Sequence, residues 1–375
     1  MPDRADITII GAGIIGLSIA AHVANYHRQV YVLERNERFG LETSSRSSEV
    51  IHSGIYYPPG SLKAITCVRG NALIYELCQK HGIGYRQTGK LIVATDGREI
   101  HELEVLLQRG RESGIKGLKL LSEGEVKDLE PNVKASAGIY SPSTGIVDSF
   151  SLMQYFLARA QEKGADFVYK SEVIAIDKLS DGYQVTVADD AGIFSFATAV
   201  VINCAGLGSD RVAALTGIDV DRSGYRIHYC KGEYFSVVRG KSSLVKRLIY
   251  PLPETSGTGL GIHTNLNLEG RMRLGPNAVY VDDIDYTVNE AHRESFARSV
   301  KRFLPFIEAN DLEPDTAGIR PTLQKPGDGF RDFIIAEESD KGLPGLINLI
   351  GIESPGLTAA PAIGLMVSDM VRGIL

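Results

Sequence analysis

Four cysteines in 375 residues are few, and none of Cys67, Cys78, Cys204 and Cys230 forms a C-x-x-C pair or is followed by histidine at zinc-like spacing. That excludes a cysteine-based metal centre and predicts buried, reduced thiols in a cytoplasmic protein. Long basic runs are lacking too, and the net charge is −6. Nucleic acid is therefore not expected as a partner, although a local site for an anion is still open. No stretch of about 18 apolar residues stands out, so no membrane span is expected. The N-terminus shows no charged segment leading into an apolar run and a cleavage site. Repeats and low-complexity tracts are also missing.

Glycine is plentiful, at 40 residues, which suits a chain with many tight turns and close backbone approaches. The length predicts two domains. Residues 6–10 (DITII) read as a buried strand, followed by Gly11-Ala12-Gly13-Ile14-Ile15-Gly16. Apolar residues over 14–23 recur at helical spacing, and 30–33 (VYVL) form a second strand ending at Glu34, with Arg35 beside it also expected at the cofactor. In this G-x-G-x-x-G turn the glycines allow a sharp bend and close approach of a pyrophosphate, and the helix N-terminus attracts its charge. A carboxylate at Glu34 suits the ribose hydroxyls of an adenosine and repels a 2′-phosphate. The turn alone does not separate NAD from FAD.

Further along, helices are predicted over 61–80, 99–113, 147–163 and 290–303, the last stopped by Pro305. Asp148, Ser149 and Ser151 are candidate caps for the third. Strands are predicted over 87–95, 193–196 and, separately, 199–203 (AVVIN). A mostly antiparallel sheet is expected over 225–281, then a strand at 346–350 and a helix from about 357.

The runs TSSRSSEVIHSGIYY (43–57), VVINCAG (200–206), GIRP (318–321) and GIESPGLT (351–358) resemble the D-amino-acid-oxidase-type flavoprotein superfamily. Within it the chain is most similar to the L-2-hydroxyglutarate dehydrogenase/oxidase family, through VIHSGIYYPPGSLKA, GKL (89–91), GEYF (232–235), IYPLP (249–253) and LGPNAV (274–279). It departs at Glu353-Ser354-Pro355, where that family often has an Asn-Ala-Pro-Ser run. The resemblance implies an α/β fold (α+β overall). A Rossmann-type FAD domain would comprise residues 1–85, 146–216 and 333–375. An interleaved substrate domain, 86–145 and 217–332, would carry the antiparallel sheet. It also implies non-covalent FAD, with Ser44, Ser45 and Arg46 along it, His52 near the isoalloxazine, Val173 at the adenine, and Ala205 and Gly206 at the ADP portion. Gly356, Leu357 and Thr358 would open a helix facing the flavin pyrimidine edge, where reduced flavin gathers negative charge.

The resemblance implies that Arg320 grips a substrate carboxylate, and a guanidinium fork has the geometry for it. Oxidising an alcohol by hydride transfer requires a base for the hydroxyl proton, and His263, slightly ahead of His52, is a candidate. Tyr57 and Tyr250, with Tyr56 and Tyr234, are candidate donors to a second carboxylate; Lys90 and Lys231 are weaker candidates. The expected reaction is FAD-dependent oxidation of a small 2-hydroxy acid such as L-2-hydroxyglutarate. Electrons would leave to oxygen, a quinone or a protein, the quinone route requiring peripheral membrane contact. An amino-acid or amine oxidase, or a flavin-bound subunit of a larger dehydrogenase, remain alternatives.

Overall fold

The computed structural model describes residues 4–25, 27–253 and 260–375. An eight-stranded sheet forms around the first strand, Arg4–Ile10. This strand lies parallel between Val30–Leu33 and the C-terminal half of Gly192–Asn203. Ala165–Val168 adds parallel beyond Val30–Leu33, and Leu343–Ile350 beyond Gly192–Asn203. These strands are mostly buried on both faces and rich in Val, Ile and Leu, as a parallel sheet covered by helices requires.

The predicted strands 193–196 and 199–203 are one continuous strand, Gly192–Asn203. Its first half pairs antiparallel with Tyr183–Asp189, and its second half joins the parallel core. Burial along it changes from patchy to complete at the changeover. That change of pattern made one strand read as two.

Three helices, Ile14–Val23, Leu62–His81 and Gly356–Ile374, form a stack beside this sheet: the first packs on its strands, and the third packs on the first two. Ser61 caps the second, accepting from the Ala64 N–H, and Gly82 ends it in the left-handed region at φ 68. Gly70 lets it meet the third: a Cβ there would lie 2.0 Å from the Thr358 carbonyl oxygen. By length and composition Gly356–Ile374 could cross a membrane, contrary to the expectation that no segment would qualify. Here it packs in the core against the other two, with Ala359, Ala360, Ile363, Val367 and Val371 buried.

A second core lies under the other sheets. The long strand His228–Val237 pairs antiparallel with Leu312–Thr322, Met272–Gly275 and Val279–Val281, and His263–Leu266 adds to Met272–Gly275. The expected antiparallel sheet over 225–281 is thus incomplete. Leu248–Pro251 leaves it and runs parallel to Lys90–Ala94, in a four-stranded sheet with Ala137–Ser141 and Lys119–Ser122. The amphipathic helix of the 290–303 stretch begins as a 3-10 turn, Glu290–His292, and continues as Arg293–Lys301. All four cysteines are buried and unpaired.

Candidate active site

A cavity of about 1370 Å³ runs between the parallel sheet and the antiparallel one. Common small-molecule pockets hold about 300–1,000 Å³, so it has room for a dinucleotide and a further ligand. One end is the glycine turn. Gly11 sits at φ +104, and a Cβ there would meet the Cys204 carbonyl oxygen at 2.5 Å. Only glycine allows this bend between two strands. Gly13, Ile14 and Ile15 continue the wall into the first turn of Ile14–Val23, whose leading N–H groups lack partners within the helix. The Ser44 hydroxyl accepts one of them, from Ile14, at 2.9 Å.

Glu34 is almost fully buried at the same end. It accepts from the Ala12 N–H at 2.8 Å and from Asn36 N and Nδ2 at 2.9 and 2.7 Å. Its carboxylate therefore ties the glycine turn together while lining the cavity. Arg35 lines it as well and pairs with Glu42. At Val173 the antiparallel ladder slips before Ala175, which releases backbone groups from pairing beside the cavity. Ala205 and Gly206 complete this wall, and a Cβ on Gly206 would meet nothing within 4 Å.

Three expected cofactor residues lie off the cavity wall. Gly16 packs the helix onto the turn, with space for a Cβ taken by the Gly11 carbonyl oxygen at 2.0 Å. Ser45 is exposed and bonds the Glu42 carbonyl, whereas its neighbours Arg46, Ser47 and Ser48 line the cavity. Thr358 is fully buried; its hydroxyl accepts from the His52 N–H at 3.0 Å and donates to the Val50 carbonyl at 3.2 Å. It ties the closing helix to the His52 loop. Gly356 and Leu357, at the start of that helix, do line the cavity. Arg46 also spans to the opposite sheet, donating to the Ala317 carbonyl and lying 3.7 Å over the Tyr286 ring.

The other end gathers Arg320, His52, His263, Tyr57 and Tyr250 on one wall system, with Tyr56 and Tyr234. Arg320 leaves Leu312–Thr322 and makes only two weak bonds, to Cys230 Sγ at 3.4 Å and the Asn277 carbonyl at 3.3 Å. No carboxylate among the described residues pairs with it, so its fork remains available to an anion. The His263 Nδ1–H donates to the Gly261 carbonyl at 2.7 Å. That assigns the tautomer and leaves Nε2 with its lone pair. His52 Nε2 lies 3.5 Å from the Ser354 hydroxyl in the closing motif. Burial, then the charge of Lys90, holds the His52 imidazole well below its ordinary pKa. Burial lowers His263 to about 3, against its bond to Gly261 and with help from the charges of Lys90 and Arg320. Both rings are therefore neutral at neutral pH.

The Tyr56 and Tyr250 hydroxyls are buried with no partner, and burial raises both well above the usual tyrosine range. In this structure they pack, through stacked rings, rather than present donors to the cavity. Lys231 is bound to Asp285 at 2.7 Å and is no free cation. Sequence reasoning missed Lys63 and Glu353, which line the cavity as a buried ion pair at 2.9 Å. They stand 290 positions apart, and no local pattern links them.

Residues 6–370 match the family described as DAO, FAD dependent oxidoreductase. The chain belongs to this family of FAD-dependent oxidoreductases. A mitochondrial L-2-hydroxyglutarate dehydrogenase of Arabidopsis thaliana is 36% identical to it, over 96% of this chain and 82% of that one. An L-2-hydroxyglutarate dehydrogenase of Salmonella houtenae is 30% identical over 98% and 93%. Among solved structures, the dithionite-reduced, FAD-bound L-alpha-glycerophosphate oxidase of Mycoplasma pneumoniae superposes with a TM-score of 0.87 at 27% identity, covering 98% of this chain and 95% of that one. The glycine oxidase of Geobacillus kaustophilus shares the fold, with a TM-score of 0.77 at 22% identity.

The flavoenzyme's own residues fit FAD. The open space beside Gly206, the first-turn N–H groups after Gly13 and the carboxylate of Glu34 suit a pyrophosphate and ribose. At the far end the N-terminus of Gly356–Ile374 offers N–H groups and a positive dipole end.

Proposed function

We propose that the flavoenzyme oxidises L-2-hydroxyglutarate, or a closely similar 2-hydroxy acid, to the 2-oxo acid. The observation that carries this reading is the meeting of an unpaired guanidinium with two neutral imidazoles on one cavity wall. Arg320 binds the carboxylate beside the reacting carbon. An imidazole Nε2 takes the hydroxyl proton. The stacked rings of Tyr56 and Tyr250, with Leu260 and Ile262, keep water from that proton. FAD, when bound, supplies the acceptor for the hydride. An amino acid, by contrast, needs no protein base once its amine is neutral, and two buried neutral histidines would then lack a purpose.

Anaerobic bleaching of the flavin absorbance across a panel tests this. L-2-hydroxyglutarate should bleach fastest among 2-hydroxy acids, glycerol 3-phosphate and amino acids. Bleaching by amino acids alone would sink the reading. Reoxidation rates with oxygen, a quinone and candidate proteins then rank the electron acceptors.

Arg320→Lys should retain FAD and raise the concentration of acid needed for half-maximal bleaching. Lysine keeps the charge but loses the two-pronged geometry. A charged hydrogen bond of roughly 1.5–3 kcal/mol corresponds to about ten- to a hundredfold in affinity. An unchanged substrate dependence would remove Arg320 from the site.

A further inference from the structure

Lys90 is 1% exposed. It stands at the start of Lys90–Ala94, between Leu248–Pro251 and Ala137–Ser141. No carboxylate among the described residues lies within ion-pair distance, although a buried ammonium without a counter-ion is costly. Its surroundings are aromatic and uncharged. Nζ lies 4.0 Å from the Tyr250 ring centroid and 5.1 Å from that of Tyr56. Burial raises both phenols, and also the Cys67 thiol on helix Leu62–His81, so none serves as an anion near neutral pH.

The His263 ring stacks on Tyr250 with centroids 3.6 Å apart and planes 23° from parallel. An ammonium 4.0 Å from the same centroid cannot share the face that the imidazole covers. Lys90 and His263 therefore press on opposite faces of one phenol. Lys90 is not on the cavity wall, while Tyr250, His52 and His263 are.

We propose that Lys90 is a positioning residue for this oxidation: its charge, set behind Tyr250, decides whether the His52–His263 pair can accept the substrate's hydroxyl proton. The proposal rests on the reading of the site as a hydroxy-acid centre. In that reaction the O–H bond breaks, the proton passes to an imidazole nitrogen, and two electrons leave the carbon with its hydrogen as hydride. The protein gains one positive charge. With Lys90 charged and Arg320 nearby, an imidazolium would be a third cation in a buried site. With Lys90 neutral, only Arg320 opposes it, and the substrate carboxylate offsets Arg320. The charged and titratable groups acting on the pair are Lys90, which opposes charge on both rings, Arg320, which acts on His263, and His263 itself, which acts on His52. Those around Lys90 are Cys67, Tyr56 and Tyr250.

Burial lowers Lys90 to about 7, partly opposed by Cys67, so its charge is lost as pH rises through neutrality. The sign follows: proton uptake by the pair is hindered below that pH and freed above it. The low-pH fall in flavin reduction belongs to Lys90, because both histidines titrate far lower.

The test is single-turnover flavin reduction at subsaturating 2-hydroxy acid, which reports groups of the free enzyme, across about pH 5.5–9. One unit below a titration midpoint the active fraction is about one-tenth. The wild type should thus be roughly tenfold slower at pH 6 than on its plateau. Lys90→Met, similar in length and apolar, should keep its flavin spectrum and move the fall down by at least one pH unit. Lys90→Arg, charged throughout, should stay slow at every pH, whereas a packing role for the charge would be rescued by it. A substrate-free check follows the ε-carbon of lysine by carbon-13 NMR: one resonance should titrate near pH 7 and vanish in Lys90→Met. Coincident pH profiles for wild type and Lys90→Met, or a Lys90 still charged at pH 9, would overturn the role. If no hydroxy acid bleaches the wild-type flavin, the functional reading falls and this role with it; the lysine titration, still in place, identifies that failure.

Discussion

Gly13→Glu should yield colourless protein. Gly13 is the residue before the first helix, with extended backbone at φ −75 and ψ 178, so strain is not the cause. A Cβ there lies 3.0 Å from the Ser44 hydroxyl oxygen, which holds the Ile14 N–H. A glutamate would displace Ser44 and place an anion at the helix end that attracts the pyrophosphate. Gly13→Ala needs a shift of only a few tenths of an ångström and should retain much of the FAD. Flavin absorbance of the purified variants, with circular dichroism to check folding, measures both. Full FAD occupancy in Gly13→Glu would mean that the pyrophosphate lies elsewhere.

Replacing the base should have the second large effect, about 10²- to 10⁴-fold on flavin reduction. Proton and hydride leave the same H–C–O–H unit, so the base belongs beside the flavin. His52 meets that need: its N–H bonds Thr358, and its ring reaches Ser354, both in the closing motif. His52→Asn is therefore expected to show the full loss, and His263→Asn a smaller one. Burial lowers both imidazoles, so a rise in rate with pH through neutrality belongs to Lys90 and not to either histidine. Single-turnover reduction by a 2-hydroxy acid measures each variant. Full-speed reduction in both would remove the histidines from the proton transfer, and a loss confined to His263→Asn would move the role there.

Local signals carried much of this architecture. The G-x-G-x-x-G turn and the Asp148 cap each act within a few residues, so they are visible in a linear reading. Partners that only the fold brings together were not. Nothing near residue 63 announces residue 353, and nothing in GKL marks Lys90 as lying behind Tyr250. The strand Leu248–Pro251 carries the same apolar pattern in either sheet, and its choice of Lys90–Ala94 depends on distant packing. Ser45 and Thr358 sit inside the expected motifs but face away from the cavity. A motif names a stretch of backbone, and side-chain direction is settled by what packs behind it.

The strand that changes partners at residue 199 also sets an order of events. Arg4–Ile10 must pair with residues 197–203, and those in turn with 346–348. Each pairing closes a loop of well over a hundred residues before any contact rewards it, which slows folding. Closing strand and helix are synthesised after everything they cover, including Leu62–His81 and the His52 loop. A nascent chain halted before residue 343 therefore leaves the apolar faces of Ile14–Val23 and Leu62–His81 uncovered and has no second flavin wall. Flavin should be acquired as a late event of biogenesis, and chains stalled on the ribosome should be protease-sensitive and free of FAD until that helix has emerged.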